Sequence, residues 1–412
     1  MKLASRLSRL GTETAFEVLA QVTELRAQGR NIIALSIGEP ACDTANHIKD
    51  AAKKALDEGQ THYGPSAGLP DFRKVIAEYV AKTRGIPVKP SEVVVVPGGK
   101  PIIFFSMLAC VEEGDEVIYP LPGYPIYESM INFVGAKPIP LRLREEKGFS
   151  FDVNELKSLV SKKTKMIVLN SPQNPTGGII PKADLQVVAE LAVKNDIWVL
   201  SDEIYTRILY DAKAESVSQF PGMKERTIIL DGHSKTYAMT GWRVGYGVMP
   251  EHLAVHVGRL MTNSNSCTAT FTQHAAMTAM VAPQDSVDEM VREFRSNRDL
   301  IVDGLNRIEG FSCLKPQGAF YVYPNVTRVC RRLGFGSSKD LQQFLLYKGG
   351  VAVLGQHCFG ARGPEDKEEY LRFSYVSSEK DIREALKRIE SALSDSRLVE
   401  EFLSEQKAAA KV

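Results

Sequence analysis

The stretch MIVLNSPQNPTGGIIPKADLQVVAELAVKNDIWVLSDEIY, residues 166–205, decides the architecture. It opens with the apolar run Met166–Asn170, turns through a segment rich in proline and glycine, and enters a helical pattern over Lys182–Asn195. A second apolar run, Ile197–Ser201, follows. Continuous apolar runs of this length read as strands covered on both faces, and a helix between two of them makes them parallel. The signal recurs outward on both sides, at Val93–Val96 and Glu116–Tyr119 before this stretch and at Thr227–Asp231 and Val244–Val248 after it. The alternation predicts an α/β fold, a mostly parallel sheet flanked by helices. In such sheets ligands bind beyond the carboxyl ends of the strands.

After Met249 the pattern changes. Ser286–Ile308 predicts a long charged helix linking two lobes. A strand pair around Gly318–Tyr323, a helix near Lys339–Lys348, strands at Val351–Leu354 and Leu371–Val376, and a helix over Glu379–Leu393 predict a smaller α+β lobe. A chain of 412 residues is too long for one ordinary core, which agrees with such a division. Residues 1–45 are expected to form an N-terminal arm and part of the small domain, 46–285 the large domain, and 286–412 the small C-terminal domain. Met1–Leu10 carries Lys2, Arg6 and Arg9 but not the apolar stretch of a secretory signal, and reads as a solvated helix or arm. The Ala/Lys-rich tail Ser404–Val412 is expected to fray.

A net charge of +1 argues against a nucleic-acid partner, whose footprint is a basic excess. No apolar run approaches the ~18 residues that span a bilayer, so no membrane partner is expected. Cys42, Cys110, Cys267, Cys313, Cys330 and Cys358 are scattered without a C-x-x-C pair, which speaks against a disulfide framework or a zinc site and for a reducing, cytoplasmic compartment. His252 and His256 lie four apart with no third ligand nearby, so a surface or packing role is expected there and no metal.

Four segments carry chemistry. Asn170-Ser171-Pro172-Gln173-Asn174-Pro175-Thr176-Gly177 follows a strand, and its prolines and glycine forbid regular structure, so it presents Asn174 rigidly. Ser201-Asp202-Glu203-Ile204-Tyr205 puts carboxylates at the end of a buried strand, where they need a cationic partner or serve as helix caps. Ser234-Lys235-Thr236 follows the next strand, with Arg243 eight residues beyond Lys235 among glycines. Arg372 interrupts the apolar strand Leu371–Val376, and an unpaired guanidinium there requires a carboxylate, internal or brought by a substrate.

Together these segments resemble the class I/II aminotransferases, the aspartate-aminotransferase-like group of fold-type I pyridoxal-phosphate (PLP) enzymes. Ser36-Ile37-Gly38-Glu39-Pro40, Tyr63-Gly64-Pro65, Gly68-Leu69-Pro70-Asp71-Phe72-Arg73 and Pro97-Gly98-Gly99-Lys100 extend the likeness. So do Gly114-Asp115-Glu116-Val117, Pro122-Gly123-Tyr124-Pro125 and Gly318-Ala319-Phe320-Tyr321, in the family's order over nearly the whole chain. The resemblance implies a seven-stranded large sheet and PLP as cofactor. It implies that Lys235 holds PLP through its amine and shuttles a proton, while Asp202 pairs with the pyridine nitrogen. It further implies that Tyr205 and Asn174 hydrogen-bond the ring's 3′-oxygen and that Tyr124 stacks on the ring. Ser234, Arg243 and the backbone amides of Gly99 and Lys100 would hold the phosphate at a helix N-terminus. Arg372 with the backbone of Gly38 would clamp the substrate's α-carboxylate. Tyr63 would reach the phosphate of a neighbouring subunit, which makes a homodimer with shared active sites the expected assembly.

The reaction so implied moves an amino group from an L-amino acid to a 2-oxo acid by a ping-pong route. The alternative on the same scaffold is a PLP-dependent lyase, cyclase, oxidative deaminase or decarboxylase. A dinucleotide-binding reading has only the fragment Gly245-x-Gly247 behind it. A non-catalytic regulator is opposed by the presence of Asp202, Lys235 and Arg372 together. Gln173, Ala41 and His233 depart from the family's usual residues. His233 is expected to fill volume, and the sharper hypothesis gives it an acid/base role beside Lys235. No second basic residue for a dicarboxylic side chain is legible, so neutral or aromatic amino acids are the expected substrates, with aspartate and glutamate left open.

Overall fold

The computed structural model describes residues 2–11, 14–361, 363 and 366–409. Its largest sheet runs in the order Val93–Val96, Gly245–Val248, Thr227–Gly232, Trp198–Asp202, Thr164–Asn170, Glu116–Leu121, Lys137–Arg144 and Ser150–Phe151. From Thr227–Gly232 to Lys137–Arg144 every neighbouring pair is parallel. Gly245–Val248 is antiparallel to both of its neighbours, and Ser150–Phe151 to Lys137–Arg144.

Successive side chains of a strand point to opposite faces, and here both faces are packed. Met166 and Val168 join Val117, Leu200 and Ile228 under the helices Lys100–Cys110, Ile126–Val134 and Glu251–Ser264. Ile167, Leu169 and Val199 face the other way, against the helix Lys182–Asn195. That helix begins after Pro181, carries Asp184 in its first turn, and is stopped by Asp196 in the left-handed region at φ 53°.

The sheet has eight strands, not the seven expected. Lys137–Arg144 was not legible because Pro138 and Pro140 lack a ladder donor, which argues against a strand inside a sheet. The prolines are accommodated because the outer neighbour, Ser150–Phe151, meets this strand only at Leu143 and Arg144, beyond both of them.

A second, three-stranded antiparallel sheet has Leu371–Ser374 in the middle, between Tyr321–Val322 and Leu354–Gly355. The helix Asp285–Arg307 buries Phe294, Ile301 and Leu305 in one core with Phe320, Phe373 and Ile389 of the helix Glu379–Ser394. The expected strand Val351–Leu354 is two short strands, Val351–Ala352 and Leu354–Gly355, and the first pairs in parallel with Ile33–Ala34. The next residue, Leu35, donates its amide to Ala352 O and accepts from the amide of Ser374. The segment carrying Ser36 and Gly38 is thereby tied to the strand carrying Arg372.

The tail does not fray as expected. It continues the helix Ser396–Ala409, which buries Val399 and Phe402 and offers Glu401 and Glu405 to Lys348 at 2.9 and 3.0 Å. Residues 410–412 lie outside the described residues. Among the described residues no helix is long and apolar enough to cross a membrane.

Candidate active site

The strand ends converge on a cavity of about 370 Å³, within the range of small-molecule sites. Asp202 ends its strand, Asn170 ends the neighbouring one, and Lys235 lies just beyond Gly232. Arg372 enters from the smaller sheet, and all four line the cavity.

The Lys235 ammonium donates to Gly38 O at 2.5 Å and stands 6.0 Å from the centre of the Phe320 ring. Its pKa is lowered to about 8, first by burial, with Arg372, Arg243 and Lys100 adding like-charge repulsion against the opposing effect of Glu39. A neutral amine is therefore accessible near physiological pH. Asp202 is buried, accepts from Tyr127 Oη at 2.6 Å and from the Ile204 amide at 3.2 Å. Burial is the main cause that lifts its carboxyl to about 6, with Asp231 and Glu203 adding repulsion against the Tyr127 and Ile204 hydrogen bonds. Tyr127 escaped the sequence reading; its only signal was the spacing of three from Tyr124, which puts it in the first turn of the helix Ile126–Val134 that follows.

Arg372 has no carboxylate partner among the described residues. Nη1 donates to Asn174 Oδ1 at 2.9 Å and Nη2 to Ser36 O, while Nε has no partner. Its Cζ lies 4.5 Å from the centre of the Tyr321 ring and 5.0 Å from that of Phe359. Asn174 is held in turn by Asn170, whose Oδ1 accepts its amide at 2.9 Å and whose Nδ2 donates to Asp202 O. Tyr205 is buried, lines the cavity, and has its hydroxyl 2.9 Å from that of Tyr321.

At the other end, the cavity meets the N-terminus of the helix Lys100–Cys110, with Gly99, Ser234 and Arg243 around it. Gly98 has φ 83°, and a Cβ there would collide with the Arg243 guanidinium. Arg243 is itself in the left-handed region at φ 53°, a conformation a side chain of this size keeps only where its surroundings enforce it. Tyr124 lines the same end, with Lys100 Nζ 5.5 Å from its ring centre.

Tyr63 is not brought to this cavity; it is 88% exposed. His233 is buried and points elsewhere. Its Nε2 donates to Ala276 O at 3.1 Å, its ring stacks on Tyr237, and burial lowers its pKa to about 4. That is the volume-filling role, with a neutral ring. Behind the site lies a buried ionic network that sequence did not disclose. Arg84 Nε meets Glu203 and its Nη2 meets Asp231, each at 2.8 Å. Among the described residues no cluster of three or more His, Cys, Asp or Glu could hold a metal ion.

The family model for aminotransferase class I and II matches residues 30–389. The chain belongs to the class I and II aminotransferases. A probable aspartate/prephenate aminotransferase of Aquifex aeolicus is 41% identical over 397 residues, 95% of this chain and 99% of that one. An aromatic-amino-acid aminotransferase 2 of Thermococcus litoralis is 37% identical over 378 residues, 90% and 95% of the two chains. Among solved structures, a double mutant of Thermus thermophilus aspartate aminotransferase superposes with a TM-score of 0.88 at 33% identity, covering 95% of this chain and all of that one.

Aminotransferases of this family depend on PLP. The cavity of this one fits that group on three observations. A buried carboxylate, Asp202, faces it with no cationic partner among the described residues. A helix N-terminus, Ser234 and Arg243 make one end suited to a phosphate dianion. An amine of lowered pKa stands between them.

Proposed function

We propose that this aminotransferase carries the α-amino group of an L-amino acid to a 2-oxo acid in two half-reactions, with Lys235 as the covalent anchor and proton carrier. The observation that supports this most directly is the convergence of Lys235, Asp202 and Arg372 on one cavity. PLP, when bound, supplies an electron-withdrawing ring that lets the substrate's Cα–H bond release its proton.

The chain's own residues do the rest. Asp202, ionised against a cation, holds a proton on the ring nitrogen, and Tyr127 and the Ile204 amide fix the orientation of the carboxylate. Tyr205 and Asn174 offer hydrogen bonds to the ring's 3′-oxygen, and Tyr124 covers a ring face. Ser234, Arg243 and the amides of Gly99 and Lys100 take the phosphate. Arg372, with a donor still unpaired, orients the α-carboxylate beside the Gly38 backbone. Lys235, whose neutral amine is accessible with a pKa near 8, takes the proton from the substrate's α-carbon and returns one to the cofactor side.

Phe16, Leu19, Ile37 and Phe359 line the same cavity, a mostly apolar wall that suits an aromatic side chain. Lys100 adds the second basic group that sequence reading did not credit, with Nζ 5.7 Å from the Phe16 ring centre. We therefore read aspartate and aromatic amino acids as the donor classes, in line with the names borne by the relatives above. The same reading has the chain as a homodimer, supported by the exposed ring of Tyr63, and in the cytoplasm, supported by six free cysteines. It divides the chain at 45/46 and 285/286, supported by the pairing of Ile33–Ala34 with Val351–Ala352 and by the start of the helix Asp285–Arg307.

The test is borohydride reduction of the PLP-loaded protein followed by peptide mapping, with an amino-acid panel in parallel. The label is expected at Lys235 and absent from Lys235→Ala. Label on another lysine, or alanine as the best donor, would refute the respective part of the reading.

A further inference from the structure

Tyr321 has no part in the roles assigned above, yet it touches two of them. It opens the strand Tyr321–Val322, pairs with Ser374 on the strand of Arg372, and is 1% exposed. Its ring lies under the Arg372 guanidinium, with Cζ 4.5 Å from the ring centre. Its hydroxyl is 2.9 Å from that of Tyr205. The backbone closes around this hydroxyl, because a Cβ at Gly38 would collide with it.

We propose that Tyr321 is a positioning residue that couples the carboxylate anchor to the cofactor's linkage: its ring seats Arg372, and its hydroxyl donates to Tyr205 and strengthens Tyr205 as a donor. The inference rests on the reading of Tyr205 as a hydrogen-bond donor to the ring's 3′-oxygen. A tyrosine hydroxyl has one proton. Once Tyr205 commits its proton to the cofactor, its oxygen can only accept within this pair, and Tyr321 is the donor. A hydroxyl that accepts a hydrogen bond becomes a better donor through its own proton. A stronger donor to the 3′-oxygen favours that oxygen's anionic form and lowers the proton affinity of the adjoining nitrogen supplied by Lys235. Water cannot substitute easily, since Tyr205 is only 4% exposed and Tyr321 1%.

The two halves of the role separate by substitution. Tyr321→Phe keeps the ring under Arg372 and removes the donor, and Tyr321→Leu removes both. The readout is the pH midpoint of the visible absorbance change of the PLP-loaded enzyme, which loss of packing alone does not move, together with KM for the amino-acid donor. Tyr321→Phe is expected to raise the midpoint by about 0.5 pH unit, a fraction of one hydrogen bond, with KM within about twofold of wild type. Tyr321→Leu is expected to raise the midpoint similarly and to raise KM by about fivefold, through loss of the cation–π contact. In a Tyr205→Phe background, Tyr321→Phe is expected to add no further shift, because the route through Tyr205 is already cut.

A midpoint for Tyr321→Phe equal to that of wild type overturns the proposal, and so does a shift that persists in full when Tyr205 is Phe. If wild-type protein with PLP shows no pH-dependent visible band, the PLP reading fails, and this inference with it. A wild-type band that titrates while Tyr321→Phe titrates identically sinks this inference alone.

Discussion

Replacing Asp202 by Asn should stabilise the cofactor-free protein at neutral pH while crippling the enzyme. Burial lifts this carboxyl from 3.8 to about 6. The sign follows from proton counting. Between roughly pH 4 and 6 the folded state holds a proton that the unfolded chain has released, so stability falls as pH rises through that window and stays low above it. At 1.36 kcal/mol per pH unit, the rise from 3.8 to about 6 corresponds to about 3 kcal/mol. Asparagine does not ionise and escapes this loss, a gain of about 3 kcal/mol in which the bond from Tyr127 is already counted. At about 2.1 cal/mol/K per residue of unfolding entropy, a cooperative melt of the 412-residue chain turns this into a Tm about 3–4 °C higher. The assay is thermal unfolding of cofactor-free wild type and Asp202→Asn at pH 7.5 and 4.5. The variant should lead at pH 7.5 and lose most of that lead at pH 4.5. With saturating PLP the order at pH 7.5 should invert, because only the carboxylate gains a cation. A variant less stable than wild type at pH 7.5 without cofactor, or a gap equal at both pH values, would refute burial as the cause of the raised pKa.

Arg84→Met leaves Glu203 and Asp231 buried without their cation, and should cost about 3–5 kcal/mol, read as a Tm about 4–6 °C lower. Neutralising the partners as well, with Glu203→Gln and Asp231→Asn, should recover most of that loss; no recovery would show that the ion pairs are not the source. Arg372→Lys should lower kcat/KM by about 10–100-fold, the worth of one hydrogen bond to a charged group, with the visible cofactor band unchanged. Steady-state kinetics and a spectrum check both halves. His233→Phe should leave the pH–rate profile unchanged and lower unfolding stability by about 1 kcal/mol, through loss of its bond to Ala276 O. A shifted profile would restore an acid/base role for His233.

Much of this was legible in sequence for a definite reason. Val93–Val96 and Thr227–Gly232 are buried along their whole length, so composition alone marks them as strands. Asp202 and Arg372 stood out because charge at the end of an apolar run or within one requires a partner, and Lys235 because it follows a strand with Arg243 nearby among glycines; all three line one cavity. What stayed hidden was set by distance or by local conflict. Tyr127 meets Asp202 across 75 residues, and Arg84 meets Asp231 across 147. No periodicity encodes such encounters. Lys137–Arg144 was hidden by prolines whose missing donors matter only if an outer strand reaches them, and the tail helix by a composition that conceals Val399 and Phe402. His233 shows the converse: adjacency to Lys235 in sequence placed it across the strand end, not in the cavity.

The tie between Ser36 and Arg372 also bears on synthesis. The two residues are 336 positions apart, and the Gly38 carbonyl that receives Lys235 sits on the same early segment. As the ribosome delivers the chain from its N-terminus, the sheet can assemble long before residues 351–374 emerge to capture that segment. Until then the first forty residues wait without their partner strand, and the amine of Lys235 without its acceptor. A nascent or prematurely terminated product can therefore own a finished sheet and still lack a working pocket, so competence to hold the substrate's carboxylate should appear late in translation, close to release.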